Sequence, residues 1–188
     1  MEILLRTCPR FLEVLGEFYL SFSEPLPLEA VMVEPGEVPE PYHALLVHQN
    51  DMTPTLAAYF GEKINLRVFE RERLGDCFRR HIVLEGAQSG RPVEYGAIRI
   101  HLDALSETAR RQVIECRTPL GAILNSQGVG HRSCPGGFFR IRSNPLIDRV
   151  LALDGPAGLY GRCNCLTNGI GQTIAEVVEI LPTIPRNE

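Results

Sequence analysis

The chain has 188 residues, a net charge of −4, and 44% hydrophobic against 22% charged residues. That length suffices for one domain with a sizeable core and needs neither disulfides nor metal as staples. The composition is that of an ordinary globular protein, with no basic stripe for nucleic acid and no apolar run long enough to span a bilayer.

Residues 1–22 contain apolar pieces, but Arg6, Arg10, Glu13 and Glu17 interrupt them and no small-residue cleavage site follows. The stretch therefore reads as a helix of the mature protein and not as a secretory signal, which places the chain in the cytoplasm. Residues 24–41 carry Pro25, Pro27, Pro35, Pro39 and Pro41 among several glutamates. They cannot hold a long helix and read as an extended arm along the surface. Residues 43–49 (HALLVHQ) read as a short apolar strand. The next segment is punctuated as a helix, with Thr53 at the cap, Pro54 in the first turn and Gly61 just past the end.

Alternation returns at residues 63–70, where Ile64, Leu66 and Val68 face one way and Asn65 and Arg67 the other. Residues 80–85 and 92–102 read as two strands joined by the turn AQSGR. Ser106 caps a helix running to Glu115, and residues 119–124 begin another. Residues 125–137 contain Gly128, Gly130, Gly136 and Gly137 and read as a mobile loop. Residues 138–142, 157–166 and 173–181 are further strand candidates, whereas residues 145–153 suit either helix or strand. Hairpin-linked strands with helices between the groups define the expected fold class. It is α+β, one domain over residues 1–188, with an antiparallel sheet of about six strands and helices on one face.

The six cysteines form no CxxC pair. Free thiols, as small buried residues, are the default for a cytosolic domain. The other reading joins His131 and Cys134 to Cys163 and Cys165 as a zinc site, a loose match to zinc-ligand spacing. No GxSxG, phosphate loop or dinucleotide fingerprint is present.

Two charges stand out because they lie on apolar strands. In TIAEVVEILP both faces are mostly apolar, so Glu179 needs a partner or a proton; the ordinary alternative is a sheet-edge acid reaching solvent. Arg80 shares a face with Ile82 and Leu84. It is either a strand-end residue with its head in water or a guanidinium that grips a carboxylate with two parallel hydrogen bonds. In RTPLG, Thr118 and Pro119 read as a helix cap and first turn. Leu120 and Gly121 then offer backbone N–H groups without helical partners, usable by an anion. Gly121 would admit close approach of a ligand. Met52, at another helix start, suits either a pocket wall or core packing.

The segments DMTPTL from Asp51, RHIVLEG from Arg80, RPVEYG from Arg91, RTPLGAIL from Arg117, LYGRCN from Leu159 and AEVVEILP from Ala175 resemble, in this order, the chorismate lyase (chorismate pyruvate-lyase) family. The resemblance covers about residues 45–182 and is nearer to the branch found in cyanobacteria, actinobacteria and archaea than to the enterobacterial form. It implies an antiparallel sheet with helical lids over a buried pocket, and elimination of pyruvate from chorismate to give 4-hydroxybenzoate without metal or cofactor. It places ligand-contacting roles on Met52, Arg80 (ring carboxylate), Leu120 with Gly121 (backbone donors) and Glu179 (ring hydroxyl), with Arg80 and Glu179 as the catalytic pair.

Two departures matter. His81 follows Arg80 where the enterobacterial form has glutamate. Ala97 follows Gly96 where that form has an arginine able to hold the enolpyruvyl carboxylate. Arg162 is the substitute candidate, its ordinary reading being a structural ion pair. The expected partners are thus small molecules, chorismate and 4-hydroxybenzoate, with no nucleic acid or membrane and with the chain a monomer or homodimer. The alternative is an aromatic-acid-binding module of the same fold, as in effector domains of bacterial transcription regulators. About forty residues precede the matching region and show no helix-turn-helix pattern, which favours the lyase.

Overall fold

A computed structural model of the chain describes Val14 and residues 30–185. Apart from Val14, the helix expected over residues 1–22 lies outside the described residues, as does Cys8. Seven strands form one sheet: β1 (Ala30–Val33), β2 (Ile64–Leu74), β3 (Cys77–Gly86), β4 (Pro92–His101), β5 (His131–Arg142), β6 (Gly158–Asn168) and β7 (Thr173–Leu181). Their order across the sheet is β1-β5-β6-β7-β4-β3-β2, and every pairing is antiparallel. Among residues 30–185 five α-helices accompany them: α1 (Tyr42–Leu46), α2 (Met52–Phe60), α3 (Glu107–Glu115), α4 (Leu120–Ser126) and α5 (Pro145–Val150).

The α+β class and the antiparallel sheet agree with the sequence reading, and the differences are local. The seventh strand is β1, drawn from the Pro/Glu-rich arm, where AVMV pairs with residues 138–141 of β5. The arm is therefore an edge of the sheet and not merely a surface strap. The run at residues 43–49 is helical, because Tyr42, Leu45 and Leu46 turn one buried face toward the core. Half of the expected glycine-rich loop is strand: β5 begins at His131 and passes Gly136 and Gly137 through a register shift. Residues 145–150 resolve as helix, capped by Asn144, whose Oδ1 accepts from Ile147 N–H at 3.0 Å.

Strand periodicity sends alternate residues to opposite faces. On the upper face α1 and α2 pack over Ile82, Leu84, Phe138 and Leu181, while α3 and α4 pack over Phe78, Ile98, Ile100 and Val177. On the lower face Tyr95, Phe139, Ile141 and Val178 meet α5 and Val14. The expected grouping of helices on one face thus holds for α1–α4, while α5 packs beneath.

Helix ends match their chemistry. Ser106 Oγ accepts from Ala109 N–H at 3.2 Å to cap α3. Gly61 ends α2 at φ 69°, a left-handed conformation that glycine adopts without strain. Thr53 and Pro54 lie inside α2, whose cap position falls to Asp51. Pro119, with ψ 145°, occupies the cap of α4, so Thr118 is displaced by one residue from the expected cap.

The lower face holds a buried imidazole. His81 is 0% exposed, and its Nδ1 lies 2.8 Å from Tyr95 Oη. Burial pushes its pKa down to about 3 from an ordinary 6.5. The folded protein therefore keeps His81 neutral at pH values where the unfolded chain protonates it. The sign follows: this group costs no stability above about pH 6.5 and lowers stability as pH falls from there toward 3, by up to about 1.4 kcal/mol per unit. Urea unfolding at pH 7 and pH 5 should reveal a loss of roughly 2 kcal/mol from this group. That loss should be absent from His81→Gln; equal pH slopes in the two proteins would remove the assignment.

Candidate functional site

Register brings the charged residues of the upper face together. Arg80 of β3 stands opposite Ile98 of β4, which stands opposite Val177 of β7. Two residues along, Ile82 pairs with Gly96, Gly96 with Glu179 and Glu179 with Arg162. Two further along, Leu84 pairs with Glu94. Arg80, Glu94, Arg162 and Glu179 therefore project to one side of four adjacent strands. Gly96 is the middle of this floor. A Cβ there would lie 2.8 Å from Ile82 Cγ1 and 3.3 Å from Glu94 Oε1, so glycine leaves the centre open for these neighbours.

Above the floor lies a cavity of about 450 Å³, large enough for a single-ring ligand. Its floor includes Arg80, Ile82, Glu94, Ile98 and Glu179, and its roof is made by the starts of α2 and α4, with Met52, Leu120 and Gly121. Five of the six residues singled out from the sequence thus surround one space, and Arg162 is absent from its lining.

Arg80 is 1% exposed. Burial lowers its pKa, against which the Cys116 sulfur, accepting a hydrogen bond from it, acts to raise it. Its Nε and Nη1 have no hydrogen-bond partner among the described residues. A guanidinium out of water with unused donors carries a desolvation cost of several kcal/mol unless an anion meets it. Arg80 is therefore a buried charge that the described residues compensate only in part.

Glu179 is held differently. Arg162 Nε donates to its Oε2, and both side chains are buried, at 0% and 7% exposure. Arg162 Nη1 also donates to the carbonyls of Leu46 and His48, each at 3.1 Å. His48 is kept neutral by burial first and by the Arg162 charge second. Its Nε2–H donates to Leu45 O at 2.7 Å, which leaves Nδ1 as the acceptor for Asn50 N–H. Arg162 is thus a post that ties the α1–α2 connection to the sheet and fixes the Glu179 carboxylate in place.

The roof has its own brace. Asp51 accepts from Asn125 Nδ2 at 3.1 Å and from His131 Nε2 at 3.0 Å, joining α2, α4 and β5. A Cβ on Gly121 would lie 2.9 Å from Asp51 Oδ2, so glycine there admits the aspartate. The first N–H groups of α4, at Leu120 and Gly121, have no acceptors inside the helix, and both residues line the cavity. His131 therefore serves this brace, and among the described residues no three His, Cys, Asp or Glu side chains gather in a way that could hold a metal. Of the described cysteines only Cys163 is buried, and Cys134 is exposed.

Sequence reasoning missed Glu94. It is 2% exposed and lines the cavity. The signal existed: in VEYGAI both faces of the strand are apolar, as in the strand that drew attention to Glu179.

Fold and site together define a class: an α+β domain whose antiparallel sheet and helical roof enclose a small-molecule cavity with a buried arginine. No protein-family model matches the chain, and no curated protein sequence does. Solved structures do. PhnF from Mycobacterium smegmatis superposes with a TM-score of 0.57 at 10% identity, covering 76% of this chain and 71% of that one. The effector domain of PhnF gives 0.55 at 11% identity, with 70% and 87% covered. The ligand-binding domain of a protein described as a GntR-family transcriptional regulator, from Bordetella bronchiseptica, gives 0.52 at 13% identity, with 66% and 91% covered. At these identities the likeness is one of fold, and it agrees with the expected α+β architecture. No described helix is long and apolar enough to cross a membrane.

Proposed function

We propose that the chain binds a small aromatic acid, with the carboxylate on Arg80 and the Leu120–Gly121 N–H groups and the ring between Met52 and Ile98. The observation that carries this reading is the buried Arg80 guanidinium in the cavity lining, whose Nε and Nη1 have no hydrogen-bond partner among the described residues and whose charge a carboxylate would meet. Glu179, fixed by Arg162, then faces a ring hydroxyl as acceptor. Support also comes from the fold, shared with domains described as effector and ligand-binding domains.

A second reading is favoured by the ordered motifs: turnover of chorismate. In that reaction C4–H is lost as the C3–O bond breaks, the ring becomes aromatic, and the enolpyruvyl fragment gains a proton at its methylene carbon to leave as pyruvate. Positioning and charge stabilisation would be the protein's contribution. One feature weighs for simple binding. Chorismate has two carboxylates, Arg162 is committed to Glu179, and the other cation among the described lining residues is Lys63 at the cavity mouth.

Titration with 4-hydroxybenzoate and an assay of pyruvate release from chorismate separate the readings. Saturable binding without pyruvate is the expected result. Pyruvate and 4-hydroxybenzoate in equal amounts, from protein without added metal, would establish the lyase instead. Absence of both removes the aromatic-acid assignment.

A further inference from the structure

Of the three acids in the cavity lining, Asp51 braces the roof and Glu179 takes the ring hydroxyl, which leaves Glu94 without a role. It rises from β4 beside Gly96, is 2% exposed, and its Oε2 has no hydrogen-bond partner among the described residues. The charged and titratable groups around the cavity are Glu179 on β7, Arg162 beneath it on β6, Arg80 on β3, Asp51 and Lys63 at the mouth, and His48 behind Arg162. The adjacent cation, Arg162, is engaged by Glu179 through Nε and by two backbone carbonyls through Nη1. Two carboxylates therefore share one guanidinium that is hydrogen-bonded to only one of them, its Nη2 having no partner among the described residues. A second buried negative charge would stand against Glu179 with little to offset it. Burial, and then the Glu179 charge, raise the Glu94 pKa well above its ordinary value, against which Arg162 acts weakly.

Resting on the aromatic-acid reading, we propose that Glu94 enters the cavity as an uncharged carboxylic acid and donates its O–H to a lone pair of the ligand's ring oxygen. Glu179, held by Arg162 through its Oε2, accepts the proton of that same oxygen. The two acids then read one hydroxyl from both sides, as donor and as acceptor. Glu94 lies four residues along β4 from the position opposite Arg80, about 13 Å of strand. Arg80 and Glu94 thus stand toward opposite ends of the cavity floor, which places the paired acids at the end of the ligand remote from its carboxylate. The ligand class narrows accordingly to ring acids with an uncharged oxygen opposite the carboxylate. Glu94 is a specificity-determining residue in this arrangement.

Two measurements on the full chain test it. Infrared spectra at pH 7 should contain the carbonyl stretch of a protonated carboxylic acid, missing from Glu94→Gln and shifted when 4-hydroxybenzoate binds. Calorimetric titration should find 4-hydroxybenzoate preferred over benzoate. Glu94→Gln, which retains an N–H donor, should keep that preference within about threefold, and Glu94→Leu should reduce it roughly tenfold or more. Glu94→Gln is close in shape to the native residue and keeps the test open should Glu94→Leu fail to fold. Absence of the acid band from the wild-type protein overturns the inference while the binding of the acid stands. A band with no binding of either benzoate overturns the functional reading instead, and with it the ligand half of this proposal.

Discussion

Arg80→Met should abolish recognition of the carboxylate and at the same time make the protein more stable. The two effects share one cause. In the folded chain the guanidinium is 1% exposed and its Nε and Nη1 have no partner among the described residues, so its desolvation is offset only in part by the Cys116 sulfur. A bound carboxylate would supply two charge-assisted hydrogen bonds at about 1.5–3 kcal/mol each. Losing both costs about 3–5 kcal/mol, or roughly two to four orders of magnitude in Kd. Methionine fills much of the same volume without a charge, and replacing an uncompensated buried charge in this way commonly gains about 1–4 kcal/mol of stability. Arg80→Lys separates charge from geometry: it retains the positive charge but not the planar fork, so binding should fall between the wild type and Arg80→Met. Calorimetric titration with 4-hydroxybenzoate and urea unfolding of the three proteins check this. A stability loss of several kcal/mol in Arg80→Met would mean that the arginine is structural, and the case for an anion in this cavity would fall with it.

This opposition between function and stability explains why Arg80 was legible from the sequence. Charges on strands that are apolar on both faces break the local pattern, and such breaks mark functional or strained positions. Glu179 stood out for the same reason. Arg162 did not resolve in the same way, because its partner depends on register: Arg162 meets Glu179 across the β6–β7 pairing, and sheet register is not written in either strand alone. Glu94 lay in a motif that drew attention, yet the apolar-face argument was not extended to it.

The misread elements have separate causes. A seven-residue apolar run such as HALLVHQ does not distinguish strand from buried helix by periodicity. The arm hides AVMV among prolines, and a four-residue edge strand needs only one partner, here β5. In residues 125–137 glycine density suggests a loop, but Gly136 and Gly137 instead sit where β5 shifts register against β6, the kind of place where a strand tolerates glycine. The roof residues Met52, Leu120 and Gly121 owed their place to the family motifs. Periodicity alone could not show that the starts of α2 and α4 converge over the same strands, since that contact runs through Asp51, Asn125 and His131.

The Arg162–Glu179 pair should carry the largest single contribution to stability within the site. Glu179→Leu leaves Arg162 charged, fully buried and without its carboxylate, a change that typically costs about 3–5 kcal/mol. In a protein of ordinary stability that is a large fraction of the total. The double variant Arg162→Met with Glu179→Leu removes both charges and should recover part of the loss. Recovery should stop short of the wild type, because Leu46 and His48 would lose the Nη1 donor that serves their carbonyls, at about 1–3 kcal/mol. A double-mutant cycle in urea should therefore give a coupling energy of about 2 kcal/mol or more between the two residues. Simple additivity would show that the pair is not a unit. The binding consequence runs in a definite order. Arg162→Met alone removes the donor that fixes Glu179 Oε2, so Glu179 should no longer be held as the acceptor for the ring hydroxyl. The preference for 4-hydroxybenzoate over benzoate should then collapse in Arg162→Met while benzoate itself, held by Arg80, still binds.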